Sequence, residues 1–138
     1  MSSEKIVYTA GTWDLFHIGH LNIIKRAKGY GEKLIVGVST DELVFSYKGK
    51  KPFIPFNERI EIIKSIKYVA EVVEQRVVSD IDIMKKYNID IEVVGDDWKE
   101  IYCEGLEWMK ENREVIYLSR TDGISSTEIK IRLGREVS

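Results

Sequence analysis

The sequence is short of the residues that announce a special chemistry or compartment. It holds one cysteine, Cys103, in 138 residues. That excludes an intrachain disulfide and fits a reducing compartment, so a cytoplasmic protein is expected. No nucleophilic role is expected of Cys103, because no histidine neighbours it in sequence. There are only two prolines, Pro52 and Pro55, three residues apart. No apolar run approaches the ~20 residues that a bilayer-spanning helix needs, and the start, Met1 to Lys5, has no signal-peptide pattern. No membrane partner is expected. A large excess of one charge is also lacking: 21 basic and 23 acidic residues leave a formal net charge of -2. That balance gives no global attraction to nucleic acid, and any phosphate binding must come from a local site. With 43% hydrophobic and 32% charged residues, the chain is expected to fold as one globular domain over residues 1–138.

What is present alternates. Short apolar, β-prone runs at 6–10, 34–38, 69–73, 89–94 and 115–118 predict five strands. Leu21, Ile24 and Ala27 recur at helical spacing until Gly29 and Gly31. Ile60, Ile63 and Ile66 mark a helix capped by Asn57, and Asp80 or Asp82 starts another that ends near Tyr87. Residues 98–111 read as helix with Gly105 a weak point, and Ser125 or Ser126 caps a last helix. The stretch 39–55, with Lys48, Lys50, Lys51 and both prolines, reads as an irregular, partly mobile loop. Strands alternating with helices predict an α/β fold with a parallel sheet and right-handed crossovers. Ligands of such sheets bind at the carboxyl ends of the strands, and the chemistry-bearing residues do follow strands.

The first constellation, Gly11-Thr12-Trp13-Asp14-Leu15-Phe16-His17-Ile18-Gly19-His20, sits where a strand turns into a helix. A helix N-terminus offers unpaired N–H groups to a phosphate. His17 and His20, three residues apart, point the same way on a helical turn. Two imidazoles can donate to phosphate oxygens as charge builds in a transition state, and Gly19 lets a phosphate approach the backbone. They are the only histidines, and both fall in one turn, which favours function over two structural histidines. A metal would want further ligands.

Arg120-Thr121-Asp122-Gly123-Ile124-Ser125-Ser126-Thr127 adds a bidentate fork for phosphate, a tight turn and hydroxyls at a helix start. Alone, it would read as a plain capped helix. Gly95-Asp96-Asp97-Trp98 alone is a turn with a capping aspartate, and the lysines at 48, 50 and 51 alone are a solvated cluster.

Together these runs resemble a known family. His17-Ile18-Gly19-His20 matches the His-x-Gly-His signature of the nucleotidylyltransferase superfamily, whose fold is a Rossmann-like parallel sheet flanked by helices. The run from Arg120 to Thr127 resembles the Arg-Thr-Glu-Gly-Ile-Ser-Thr-Thr motif of cytidylyltransferases, and Gly95 to Trp98 the Gly-Asp-Asp-Trp of glycerol-3-phosphate cytidylyltransferases. The resemblance runs from about Val7 to about Ile131. It implies transfer of CMP from CTP to a small phosphorylated alcohol, glycerol 3-phosphate first, a magnesium-assisted reaction and a homodimer. It implies catalytic roles for His17, His20, Lys48, Lys50 and Arg120, with Lys51 in reserve. Nucleotide contacts are implied for Thr12, Trp13, Gly19, Asp96, Arg120, Thr121, Gly123, Ile124, Ser125 and Ser126, and substrate contacts for Asp14, Arg59 and Lys67. Asp41, at a strand end, could meet a ribose or metal.

Departures fall in the region 67–82. Where the family often reads Arg-Tyr-Val-Asp-Glu-Val, this chain has Lys67-Tyr68-Val69-Ala70-Glu71-Val72, and no tryptophan follows. The lack of an aromatic cage argues against choline. Phosphoethanolamine or another phospho-alcohol, an adenylyltransferase acting on a sugar phosphate or FMN, and a catalytically idle nucleotide sensor are the alternatives. The charge balance disfavours a nucleic-acid-binding module.

Overall fold

The structure is a computed structural model describing residues 4–119. The chain runs β1 (Ile6–Gly11), α1 (Ile18–Lys28), β2 (Lys33–Ser39), α2 (Asp41–Lys48), α3 (Phe56–Lys64), β3 (Glu71–Gln75), α4 (Ile81–Lys86), β4 (Ile91–Gly95), a 3-10 turn (Asp96–Trp98), α5 (Glu104–Asn112) and β5 (Glu114–Leu118). The five strands make one parallel sheet in the order β3-β2-β1-β4-β5. The chain winds outward from β1 to one edge, returns, and winds to the other. The crevice above β1 and β4 is therefore the switch point at which such sheets bind ligands.

Side chains alternate across the sheet. Val7, Val36, Val38 and Val93 pack with Ile24 and Ala27 of α1 and Ile63 of α3 on one face. Tyr8 and Ile35 pack with Met84, Ile89 and Met109 on the other, under α4 and α5. Both faces are covered, which is why the strands read as nearly unbroken apolar runs.

Four expectations need correction. The stretch 39–55 is not all loop, because Asp41–Lys48 is helical. Its Thr40 side chain accepts from the Leu43 N–H, two acids occupy its first turn, Lys48 its last, and Gly49 ends it at φ 74. These are ordinary start and stop signals, but only Val44 of this helix is buried, so its apolar period is too weak to read. The following helix starts at Phe56 behind Pro55, with no side-chain cap from Asn57. β3 begins at Glu71, after a turn in which the Val69 N–H donates to the Ile66 carbonyl. The span 98–111 divides into the 3-10 turn and α5. There Gly105 is a contact rather than a weak point: a Cβ at this position would overlap the Ser79 carbonyl oxygen. The helix expected after Ser125 or Ser126 lies outside the described residues.

Candidate active site

β1 ends in a turn that folds under strain. Trp13 and Leu15 hold φ values of 57° and 49°, a left-handed conformation that costs a non-glycine residue free energy. Two anchors oppose that cost. The Trp13 indole Nε1 donates to the Gly37 carbonyl at 2.9 Å. The Asp14 carboxylate accepts from the backbone N–H groups of Phe53 and Ile54, each at 2.9 Å. The turn is thus tied to β2 beneath it and to the segment after α2 above it.

His17 then caps α1. Its Nδ1 accepts from the Gly19 N–H at 3.0 Å, and its own N–H donates to His20 Nδ1 at 3.3 Å. This is a capping box built from two imidazoles. The rings stack at 3.9 Å between centroids. Because each Nδ1 accepts, each neutral ring carries its proton on Nε2, away from the helix backbone. His17 Nε2 is buried and has no hydrogen-bond partner among the described residues. A buried donor without a partner is costly, and an oxygen-rich ligand would satisfy it. Burial lowers the His17 pKa. His20 is pushed down to about 4, chiefly by burial and then by His17, with Asp14 opposing. Both rings are neutral donors at pH 7.

Beside this turn lies a cavity of about 260 Å³ at the strands' carboxyl ends, with His20, Asp14 and Gly95 on its walls. Lys48, Lys50 and Lys51 all reach it, so three cations share this cavity with His20, while His17 lies outside its lining. A second cavity of about 280 Å³ shares Gly11, Thr12, Lys48 and Val94 with the first and extends toward β3 and α5. On its walls are Gln75, Ser79, Glu92, Asp97 and Trp98.

The other expected site residues are placed as follows. Thr12 lines both cavities, and its hydroxyl lies 3.4 Å from that of Tyr47. Trp13 is 95% buried and belongs to the core cluster under α1, and it also lines the first cavity. Gly19 is buried in the first turn of α1. Asp96 is exposed and borders neither cavity, whereas its neighbour Asp97 lines the second. Arg59 is a correction. Expected at a substrate, it is fully buried, and its guanidinium donates to the carbonyls of Ile54, Thr12 and Ser39 and to the Asp41 carboxylate. It fastens three loops, and the same bond takes Asp41 away from a ribose or metal. Lys67 is a second correction. It is exposed between α3 and β3, where the Ala70 N–H meets the Leu34 carbonyl at the amino end of the sheet, opposite the cleft. Its ammonium lies over the Tyr68 ring. Arg120, Thr121, Gly123, Ile124, Ser125 and Ser126 lie outside the described residues.

Sequence reasoning missed a polar group under the second cavity. Glu92 of β4 is 97% buried and accepts from the Ser79 hydroxyl at 2.7 Å. Burial raises its pKa to about 7, with the Ser79 bond opposing. Opposite it, the hydroxyl of Tyr8 donates to Gln75 Oε1 at 2.6 Å, also buried. The available signal was a carboxylate in the middle of an otherwise apolar strand, where an unpaired charge is costly.

A doubly wound parallel sheet whose first strand turns through paired imidazoles into a helix start defines the nucleotidyltransferase class. Among solved structures, a lipopolysaccharide core biosynthesis protein from Thermoplasma volcanium matches 87% of this chain and all of its own, with a TM-score of 0.74 and 23% identity, a likeness of fold. The model of the cytidylyltransferase-like family matches residues 8–132, and the chain belongs to that family. Glycerol-3-phosphate cytidylyltransferase of Bacillus spizizenii is 46% identical over 127 residues, 91% of this chain and 95% of the relative. FAD synthase of Pyrococcus horikoshii is 35% identical over 141 residues, 96% of this chain and 95% of the relative.

Proposed function

We propose that this enzyme transfers CMP from CTP to glycerol 3-phosphate, giving CDP-glycerol and pyrophosphate. The likeness to glycerol-3-phosphate cytidylyltransferase over nearly both full lengths supports the choice of substrates. The observation that carries the chemistry is the imidazole pair: both Nδ1 atoms are spent on the helix start, and the buried Nε2 of His17 has no hydrogen-bond partner among the described residues.

In this reading the triphosphate lies over the start of α1, between the imidazoles and the lysines of the first cavity. An oxygen of the acceptor's phosphate attacks the α-phosphorus of CTP. The bond from that phosphorus to the bridging oxygen breaks, and the electron pair leaves with pyrophosphate. His17 and His20 donate to oxygens on which negative charge grows, and Lys48 and Lys50, with Lys51 beside them, neutralise the leaving group. No side chain becomes covalently bonded, so catalysis is positioning and electrostatics. Arg120 and the run from Thr121 to Ser126 complete the nucleotide contacts in this proposal, as does Asp96 from the Gly-Asp-Asp-Trp run.

Magnesium enters the proposal as a companion of the triphosphate. Among the described residues no three histidine, cysteine, aspartate or glutamate side chains stand together as a cation site, and Asp14 is engaged by two backbone N–H groups. Magnesium commonly keeps water and phosphate ligands instead of a protein cage. The proposal also includes a homodimer acting in the cytoplasm, with no nucleic acid or membrane as partner. The net charge of -2 supports leaving out nucleic acid.

The test is pyrophosphate release from the purified chain with magnesium. CTP, ATP, GTP and UTP are crossed with glycerol 3-phosphate, phosphoethanolamine, phosphocholine, a heptose 1-phosphate and FMN. Release with CTP and glycerol 3-phosphate is expected. CTP with another acceptor would overturn the acceptor, and release with ATP alone would overturn the base. The likeness to FAD synthase favours ATP with FMN as the second reading, and that pair is the one to watch.

A further inference from the structure

The second cavity has a composition of its own. Its floor is the carboxyl half of β1 and β4, its far walls are the residues after β3 and the 3-10 turn, and it opens to the first cavity along Gly11, Thr12 and Lys48. Ser39 and Ser79 on its walls are deeply buried, and so are its two larger polar side chains: Gln75 is 4% exposed and Glu92 3%. Each of these two is oriented by one neighbour that is itself buried. Tyr8 occupies the oxygen of the Gln75 amide, which leaves the NH2 end of that amide to donate. Ser79 occupies one oxygen of Glu92, which leaves the other to accept.

We infer that this cavity seats the hydroxyl-bearing carbons of the acceptor, with Glu92 and Gln75 reading its hydroxyl groups and Lys48, on the shared wall, facing its phosphate. The inference rests on the reading of the enzyme as a cytidylyltransferase for a phospho-alcohol.

The chemistry of the walls selects a hydroxyl over an ammonium. A hydroxyl both donates and accepts, and Glu92 and Gln75 offer one partner of each kind. An ammonium only donates, so it would satisfy Glu92 and strand the Gln75 NH2. The raised pKa of Glu92 fits the same picture, because a buried carboxylate with one donor is under-solvated. A second donor from the substrate would relieve it. The polarity also runs the right way along the ligand. Lys48 stands where the two cavities meet, and the Asp97 carboxylate lines the second one, from which a phosphate is repelled. An acceptor with a phosphate at one end and hydroxyls at the other is thereby oriented, phosphate toward CTP.

The purified full-length chain with CTP and magnesium is assayed on glycerol 3-phosphate, on propane-1,2-diol 1-phosphate, which lacks the terminal hydroxyl, and on phosphoethanolamine. The parent is expected to prefer glycerol 3-phosphate over the deoxy analogue by about 10- to 100-fold in kcat/KM, the range for one hydrogen bond to a charged partner. Glu92→Leu is expected to cut that ratio to within about threefold, while KM for CTP stays near the parent value. Gln75→Leu is the second variant and removes the donor while leaving Glu92 in place. Its ratio is expected to fall as well, and thermal melts of both variants confirm folding. If both variants fold and keep the parent's ratio, the inference fails while the proposed reaction stands. A parent that prefers phosphoethanolamine overturns the hydroxyl reading. A parent that releases no pyrophosphate with CTP and any of the three overturns the proposed function and this inference together.

Discussion

Replacing Arg59 by lysine should unfold the enzyme more readily, although the change keeps the charge. In the fold its guanidinium lies entirely out of solvent and reaches four places at once: the carbonyls of Ile54, Thr12 and Ser39 at 2.9, 2.7 and 2.8 Å and the Asp41 carboxylate at 2.5 Å. A lysine ammonium has three donors on one atom and cannot span those positions. The Ser39 carbonyl is left in a buried position that water does not easily reach, and those of Ile54 and Thr12 are partly buried. Each carbonyl then costs on the order of 1 kcal/mol. Asp41 is a quarter exposed, so its loss is softened by solvent and stays well short of the ~3–5 kcal/mol of a fully buried pair. The total is about 3 kcal/mol. For a chain of this length that is a fall in melting temperature of roughly 10 °C. Calorimetry or a urea titration reads it directly. The same variant should raise KM for CTP, because the segment after α2 that carries Lys50 and Lys51 loses one of its ties. A lysine variant melting within about 2 °C of the parent would refute the account, since a surface arginine would behave that way.

Three further outcomes follow from the geometry. His17→Ala should lower kcat roughly a hundredfold or more with little change in KM, as loss of a transition-state donor does; pyrophosphate release at near-parent turnover would remove His17 from the mechanism. Gly105→Ala should destabilise by about 2 kcal/mol, read as a lower urea midpoint, because the new methyl meets the Ser79 backbone, whereas helix propensity alone predicts a gain. Glu92 holds its proton to about pH 7 when folded against an ordinary 4.5, so the stability it contributes is present below about 4.5 and is lost as pH rises through about 7. Its size is on the order of 3 kcal/mol. Glu92→Gln removes that loss, and the variant should gain on the parent in unfolding free energy between pH 5 and pH 8; an unchanged difference would refute it. His20 runs the other way, since its pKa is lowered to about 4, and its contribution is lost as pH falls from the ordinary 6.5.

The parts of this molecule that were legible in sequence are those in which one residue type does one local job. Five apolar runs became five strands because both faces of the sheet are covered. His17 and His20 could be paired because their spacing of three is a local one, which the fold realises as an N-cap and its N3 partner rather than as two helical residues. What could not be read depends on partners distant in the chain. Arg59 looks like any helix arginine until Thr12 and Ser39, 47 and 20 residues away, are brought under it. Lys67 falls in a family motif, but the antiparallel return of α3 carries it to the wrong end of the sheet. Trp13 sits in the motif too, yet a left-handed backbone turns its ring into the core. α2 was hidden because its helix signals were present without an apolar stripe. Glu92 could be seen but not interpreted, because its meaning depends on Ser79 and on a cavity that only the fold creates.

If His17 acts as proposed, the histidine cap sets thermal resistance against turnover at a single position. Asparagine or serine starts a helix at least as well as histidine does, and either would also rid the fold of a buried Nε2 that has no partner among the described residues. Selection for heat resistance alone should therefore drive position 17 away from histidine. The resulting enzymes would melt later and work far more slowly. Stabilisation campaigns on this chain should hold that residue fixed, and a tougher variant that has changed it should be suspected of having given up its chemistry.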